Sequence, residues 1–426
     1  MTKTSEPDPT PVPAPDWTVR GIDRDEFPSV ARVVGEALLA SDSPQGRTER
    51  LRPLMDAHGY DRFLVAVDGD EVAGSVNSFR FEMTMPGGPR PVAGVSGVGV
   101  WPTHRRKGVL SALMRRQLRD LRDRGESLAA LWASEGGIYG RFGYGAASME
   151  AELTVARPHA RLVPDAPRDP ALNLRLHYVD EVRDRVVEVF RKLAPTQLTR
   201  FQRADVWWDR VLADTPEARG SFGGLKVALV SSADGPQGYA LYRTRAEYDQ
   251  AGWHSELRVH ELVAGTPAAR VALYDHVFNR DLVAKVVVEN TAVDDPLWNL
   301  LADRQRISAV PTTGLWMRLV DVPAALAERP YAVPVEAVVE VADRYAPWNA
   351  GRWRIKADEV GADVELTDEA PDLSLDVSHL GAAFLGQHTL SARVAAGVAT
   401  EHTLGAAARL DAALRVAHAP VCGVIF

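Results

Sequence analysis

Residues 95–110, Val-Ser-Gly-Val-Gly-Val-Trp-Pro-Thr-His-Arg-Arg-Lys-Gly-Val-Leu, constrain the fold more tightly than any other stretch. The β-branched residues read as a strand and Pro102-Thr103 as a turn. Arg105, Arg106, Lys107 and Gly108 form a basic loop ending in glycine. Leu110, Leu113, Met114, Leu118 and Leu121 then recur at three- and four-residue steps, the spacing of one buried helix face. The first N–H groups of such a helix have no partner within it, and its dipole presents positive charge there. A strand that feeds a helix through this kind of loop holds an anion. Gly108 lets the backbone come close, and the three cations surround it. Two common phosphate binders are excluded: the stretch has no Gly-x-x-x-x-Gly-Lys-Ser/Thr and no Gly-x-Gly-x-x-Gly between strand and helix.

At 426 residues the chain exceeds one ordinary core, so two or three domains are expected. A net charge of -8 argues against nucleic acid as a partner and is compatible with a cationic substrate. Cys422 stands alone, which excludes an intrachain disulfide framework and a zinc cluster and fits a reducing, cytoplasmic setting. No metal site is expected, and no apolar run reaches membrane-spanning length. Residues 1–16, with five prolines among acidic and threonine positions, read as a disordered tail.

Residues 17–20 read as a first strand and 23–40 as a helix, with Phe27, Val30, Val33, Val34, Ala37 and Leu38 on its buried face. A hairpin follows over 62–67 and 71–79, broken from the next strand by Pro86-Gly87-Gly88-Pro89. Residues 128–133 suit a buried strand. Residues 133–145 contain five glycines and three aromatics, a hairpin-like segment whose rings either pack the core or do chemistry. Four prolines between 158 and 170 mark a linker. Beyond it lie a strand at 172–178, helices at 180–193 and 204–212, strands at 225–231, 238–245 and 257–264, and a helix from Pro267. A strand at 315–320 and a helix from Val322 lead into the last hundred residues. These alternate strands at 338–341, 351–356, 362–366 and 372–377 with helices such as 377–385.

The pattern Val-x-Val-x-Pro-x-x-Arg-Arg-x-Gly-Val, carried by Val98, Val100, Pro102, Arg105, Arg106, Gly108 and Val109, resembles the acetyl-CoA pyrophosphate loop of the GNAT acetyltransferases. The run Ser-Glu-Gly-Gly-Ile-Tyr-Gly-Arg-Phe-Gly-Tyr-Gly at 134–145 is more specific, and over the whole chain the sequence resembles the enhanced intracellular survival (Eis) family. The resemblance implies an α/β (α+β) fold: a tandem of GNAT-like domains, the second degenerate, then a sterol-carrier-like α+β domain. The expected divisions are 17–156, 157–320 and 321–426. In the second domain, Val271 and Ala268 are aligned with Gly108 and Arg105.

The resemblance further implies acetyl-CoA as co-substrate and transfer to amines, with aminoglycosides or lysine side chains as acceptors, in a homohexamer built as a dimer of trimers. Val98, Gly99 and Val100 would line the pantetheine arm. Arg105, Arg106, Lys107, Gly108, Val109, Leu110 and Ser111 would hold the pyrophosphate, and Ser134 and Glu135 would border the cofactor. Tyr139 would be the general acid, since a phenol with a pKa near 10 suits a departing thiolate. Phe142 and Tyr144 read as core. The base would be the terminal carboxylate of Phe426, ionised at neutral pH. The same ring could instead merely anchor the tail, and Ile425 stands where some members carry a carboxylate. Alternatives to a small-amine acetyltransferase are a protein lysine acetyltransferase and a non-enzymatic acyl-CoA sensor.

Overall fold

The computed structural model describes residues 17–250 and 252–426; the expected disordered tail, 1–16, lies outside the described residues. The chain forms two compact units. One runs up to Ser78 and resumes over Ser96–Gln117, and the other comprises Phe79–Val95 and Leu118–Phe426.

In the first unit, β1 (Trp17–Arg20) pairs antiparallel with β2 (Phe63–Asp68), and β2 pairs with the first half of β3 (Glu71–Met85). Helix α1 (Phe27–Ala37) buries Phe27, Val30 and Val33 as its periodicity predicts. It ends at Ala37, so Leu38, expected on the buried face, is exposed. Helix α2 (Pro44–His58) is not legible from periodicity. Its sequence is mostly polar, with Pro53 inside it, and it buries only Arg47, Thr48, Leu54 and Met55. It is held by local chemistry instead: Ser43 caps Gly46 N–H, and the buried Arg47 pairs with Asp42. Strand β4 (Gly88–Val100) and helix α3 (Val109–Asp123), like β3, run through both units.

Among the described residues, the second unit contains strands of three larger sheets and a two-stranded ribbon, Tyr248–Asp249 with Gly252–Trp253. Residues 93–95 of β4 pair in parallel with residues 129–131 of β5 (Leu128–Trp132), and β4 continues five residues past that pairing. The short helix α4 (Gly136–Tyr139) leads to β6 (Gly145–Ala146). Strand Leu315–Leu319, far along the chain, pairs with both β5 and β6. Conversely β7 (Met149–Ala156) pairs with Val283–Ala292 and Ile307–Thr313 in a second, seven-stranded sheet. Sheet membership thus does not follow chain order: strands on either side of Ser148 and Gly314 change places, and the Ser148 hydroxyl accepts Leu315 N–H at 2.8 Å.

In that second sheet, Ser255–Ala264 and Val283–Ala292 are parallel neighbours joined through helix Pro267–Phe278. A third sheet of five strands begins at Val335–Ala342. Its helix Val377–Ala383 packs on β6 so closely that a Cβ at Gly145 would lie 1.9 Å from the Ser378 carbonyl oxygen. Arg318, fully buried, donates to both oxygens of Asp343 at 2.9 and 2.6 Å and ties the third sheet to Leu315–Leu319.

A second buried charge group lies in the central sheet. Glu261 accepts from Arg203 at 2.6 and 3.0 Å, from Arg200 at 2.9 Å and from Tyr239 Oη at 2.8 Å. Burial alone would raise the Glu261 carboxyl, but Arg203, then Arg200 and Tyr239, outweigh it and hold the group down at about 2. A carboxyl depressed in the folded state stabilises above its ordinary 4.5, and that stability is lost as pH falls toward 2. Glu261→Gln leaves two buried guanidinium groups uncompensated. It is expected to lower the urea midpoint at pH 7 by an amount corresponding to about 3–5 kcal/mol. The gap to wild type should narrow below roughly pH 3 as wild-type Glu261 takes up its proton.

Candidate active site

In the first unit, β4 ends at Val98, Gly99 and Val100, with Gly99 buried and the two valines half-buried. A Cβ at Gly99 would meet the Ala37 methyl at 3.1 Å and the Val34 Cα at 3.2 Å, so α1 lies directly against this strand end. Trp101 N–H donates to Ala73 O at 2.8 Å, and a 3-10 turn, Pro102–His104, follows. His104 is buried, and its Nε2 lies 2.9 Å from Asp68 Oδ2, which fixes the turn to the end of β2.

Residues 105–108 form an exposed turn between that anchor and α3. Arg106 (φ 64°) and Gly108 (φ +85°) both occupy the left-handed region, which is uncommon for arginine and easy for glycine. The nearest atom to a Cβ at Gly108 would be Trp17 Cζ2 at 3.9 Å, so the space over the helix start is open. Val109 seals the turn underneath, while Leu110 and Ser111 are half-buried. An open, cationic helix start of this shape fits a phosphate group.

In the second unit, Ser134 and Glu135 are exposed at the end of β5, and Glu135 is the N-cap position of α4. The expected hairpin at 133–145 is instead this short helix followed by a 3-10 turn and β6; closely spaced glycines let it coil tightly enough to bring Tyr139 and Tyr144 together, ring centroids 6.2 Å apart. Tyr139 is 7% exposed, and its phenol is pushed up to about 12 by burial first and then by Glu135. Phe142 and Tyr144 are fully buried, as read from the sequence, with Phe142 edge-on to Tyr345 in the loop after Val335–Ala342.

The chain terminus lies in an aromatic cluster that the sequence did not reveal. The Phe426 ring is edge-on to Phe81 at 4.9 Å and lies 6.2 Å from Phe201, with Trp207 and Phe79 completing the group. A Cβ at Gly94 would come within 3.1 Å of the same ring, and Gly94 pairs with Ala130 where β4 meets β5. Glu150 and Arg200, which bond the tail at Cys422, and Gly423 within the tail were also missed. They come from three distant segments, and no spacing rule links them.

The central sheet has a comparable start to its crossover helix, but it is shut. Strand Ser255–Ala264 passes into helix Pro267–Phe278 with only Gly265 and Thr266 between them. Thr266 Oγ1 caps Ala269 N–H at 3.1 Å, and Pro267 has no N–H to offer. Val271 lies buried inside the helix and Ala268 in its first turn, so the alignment of these two with Gly108 and Arg105 is corrected: the loop is deleted, not substituted. A cavity of about 990 Å³ opens beside this helix start, lined also by tail residues such as Ala419 and Gly423. Its arginine in the first turn, Arg270, is turned to Asp295 at 3.7 Å. Among the described residues no group of three or more His, Cys, Asp or Glu could hold a metal ion, and no helix is long and apolar enough to cross a membrane.

Comparison with known proteins agrees with this layout. Residues 18–147 and 200–319 each match an acetyltransferase (GNAT) domain family, and 322–423 match a sterol carrier protein domain. An uncharacterized N-acetyltransferase of Streptomyces avermitilis is 38% identical over 84% of this chain and 88% of its own length. N-acetyltransferase Eis of Mycobacterium tuberculosis is 38% identical over 81% of this chain and 83% of its own. The crystal structure of Eis1 from Mycobacterium abscessus superimposes with a TM-score of 0.81 at 31% identity, covering 96% of this chain and all of that one. With two GNAT folds, a sterol-carrier-like third domain and relatives of this identity along most of its length, the chain is an N-acetyltransferase and belongs to the Eis family of GNAT acetyltransferases.

Proposed function

We propose that this enzyme transfers the acetyl group of acetyl-CoA directly to an amine of a small, multiply aminated acceptor such as an aminoglycoside. The observation that carries the reading is the turn at 105–108: exposed, tricationic, with Gly108 left-handed and open space over the start of α3. Acetyl-CoA brings the acyl group as a thioester. Arg105, Arg106, Lys107 and Gly108, with Val109, Leu110 and Ser111 behind them, bind its pyrophosphate. Val98, Gly99 and Val100 accompany the pantetheine arm, and the backbone N–H near Val98 polarises the thioester oxygen. Ser134 and Glu135 border the same cofactor.

The proton inventory balances on two groups. The Phe426 carboxylate removes the proton that the attacking amine must lose, directly or through a water. Tyr139 gives its phenolic proton to the leaving sulfur. A phenol held near 12 stays protonated throughout the neutral range, so it is available as a donor at each turnover. The net charge of -8 favours a cationic acceptor. A cytoplasmic location and a hexamer arranged as a dimer of trimers complete the reading, and sedimentation tests the assembly.

Gly108→Asp introduces a side chain and a negative charge where a phosphate is to lie. Acetyl-CoA affinity by calorimetry should fall more than roughly tenfold while the fold persists; unchanged affinity would remove the turn from the cofactor site. Tyr139→Phe keeps the ring and deletes the proton. kcat should drop by roughly a hundredfold with little change in KM for acetyl-CoA. The wild-type rate should decline on the alkaline side only as Tyr139 begins to ionise toward 12. If Tyr144→Phe proves the damaging variant, the acid has been misassigned.

A further inference from the structure

Four residues before Phe426, the peptide at Cys422 is held from both sides. Cys422 N–H donates to Glu150 Oε1 at 2.9 Å, and Cys422 C=O accepts from Arg200 Nη1 at 3.1 Å. Glu150 and Arg200 are 1% and 5% exposed. The next residue, Gly423, is left-handed (φ +72°), and a Cβ there would lie 2.3 Å from Arg200 Nη1. No other residue type fits this position without moving the arginine. Arg200 is in turn fixed by Glu261, which Arg203 and Tyr239 hold on its other lone pairs.

Upstream, Val421 N–H reaches Leu198 O at 3.3 Å and Ala419 N–H reaches Asp294 Oδ2 at 3.0 Å. Downstream, the Phe426 ring is seated against Phe81 and Phe201. The segment that carries Arg200 and Phe201 is itself bonded to β3, Thr84 N–H to Arg200 O at 2.8 Å and Gln202 N–H to Glu82 O at 3.0 Å. One short stretch therefore grips the tail at two points. Burying a carboxylate to hold a backbone N–H of a chain end is costly, and burial raises the Glu150 carboxyl above its ordinary value.

We propose that Glu150 and Arg200, backed by Glu261, are positioning residues that set the location of the terminal carboxylate, so that the central domain serves catalysis as a clamp on the chain end. The inference rests on the reading of the Phe426 carboxylate as the base. Neither residue touches the reacting atoms; they act through the four residues from Gly423 to Phe426, about 14 Å of chain at most. Displacements of about 1 Å are enough to cost roughly a hundredfold in rate.

The test uses full-length protein: wild type, one glycine added after Phe426, Glu150→Ala, Glu150→Gln, Gly423→Ala, and the two alanine variants combined with the extension. kcat, KM for acetyl-CoA and thermal midpoint are read for each. Glu150→Ala and Gly423→Ala should each lower kcat roughly a hundredfold with KM for acetyl-CoA held. Glu150→Gln keeps an oxygen for Cys422 N–H and should restore the rate to within about fivefold of wild type. In the extended enzyme the carboxylate is already displaced, so the alanine changes should add little.

Wild-type kcat in both Glu150→Ala and Gly423→Ala would overturn the clamp. So would an equal loss in the extended and unextended backgrounds, which marks general damage, or a Glu150→Gln as impaired as the alanine variant. Should Glu150→Ala fail to fold, Gly423→Ala decides, because it adds a single methyl and leaves the Glu150, Arg200 and Glu261 side chains in the chain. A harmless glycine extension is a separate result: it removes the terminal carboxylate as base whatever the clamp variants do.

Discussion

The ion-pair group around Glu261 is the constraint on which the second unit depends. Two guanidinium groups and a phenol converge on one carboxylate that is 7% exposed, and each brings a different part of the chain with it. Arg200 carries the tail and the edge of β3, Arg203 lies over Phe190 and Trp208 with its guanidinium 3.9 and 4.9 Å from their ring centroids, and Tyr239 belongs to the neighbouring strand. Replacing such a group by apolar residues often stabilises a protein, whereas removing one member is costly. What it supplies here is specificity of arrangement: a charged partner at fixed distance cannot slide as an apolar contact can.

The two acetyltransferase folds in the chain diverge at one place, the passage from strand to crossover helix. In the first, eight residues separate Val100 from Val109 and include a turn, three cations and a left-handed glycine. In the second, two residues intervene, and the helix caps itself with Thr266 behind a proline. An N-terminus that satisfies its own amides has little left to offer an anion. The sheet architecture tolerates this loss because the parallel strand pair and the packed helix face do not involve the loop, so a fold released from binding can be recruited to hold other parts of the chain.

Much of this was legible in the sequence because it is periodic or local. The helix faces of α1 and α3, the strand at 128–132 and the cationic loop announce themselves through apolar spacing and turn residues. Helix α2 did not, since its residues are polar on most sides and its support is the buried Arg47 and the Ser43 cap. The exchange of β7 and Leu315–Leu319 between sheets was equally hidden, because strand pairing between segments this distant in the chain, such as Ala156 with Lys285 and Trp132 with Leu315, leaves no local mark. Among the residues of the proposed site, Tyr139 stood out through its glycine-rich frame, while Glu150, Arg200 and Gly423 are joined only by the fold.

On the proposed reading, one of the two folds holds a cofactor site and the other serves as support. Counting acetyl-CoA bound per chain at saturation, by calorimetry or equilibrium dialysis on the intact enzyme, tests it most directly. A single site per chain is expected. Two sites per chain would contradict it, and would mean that the shut helix start at Thr266 opens to a ligand after all.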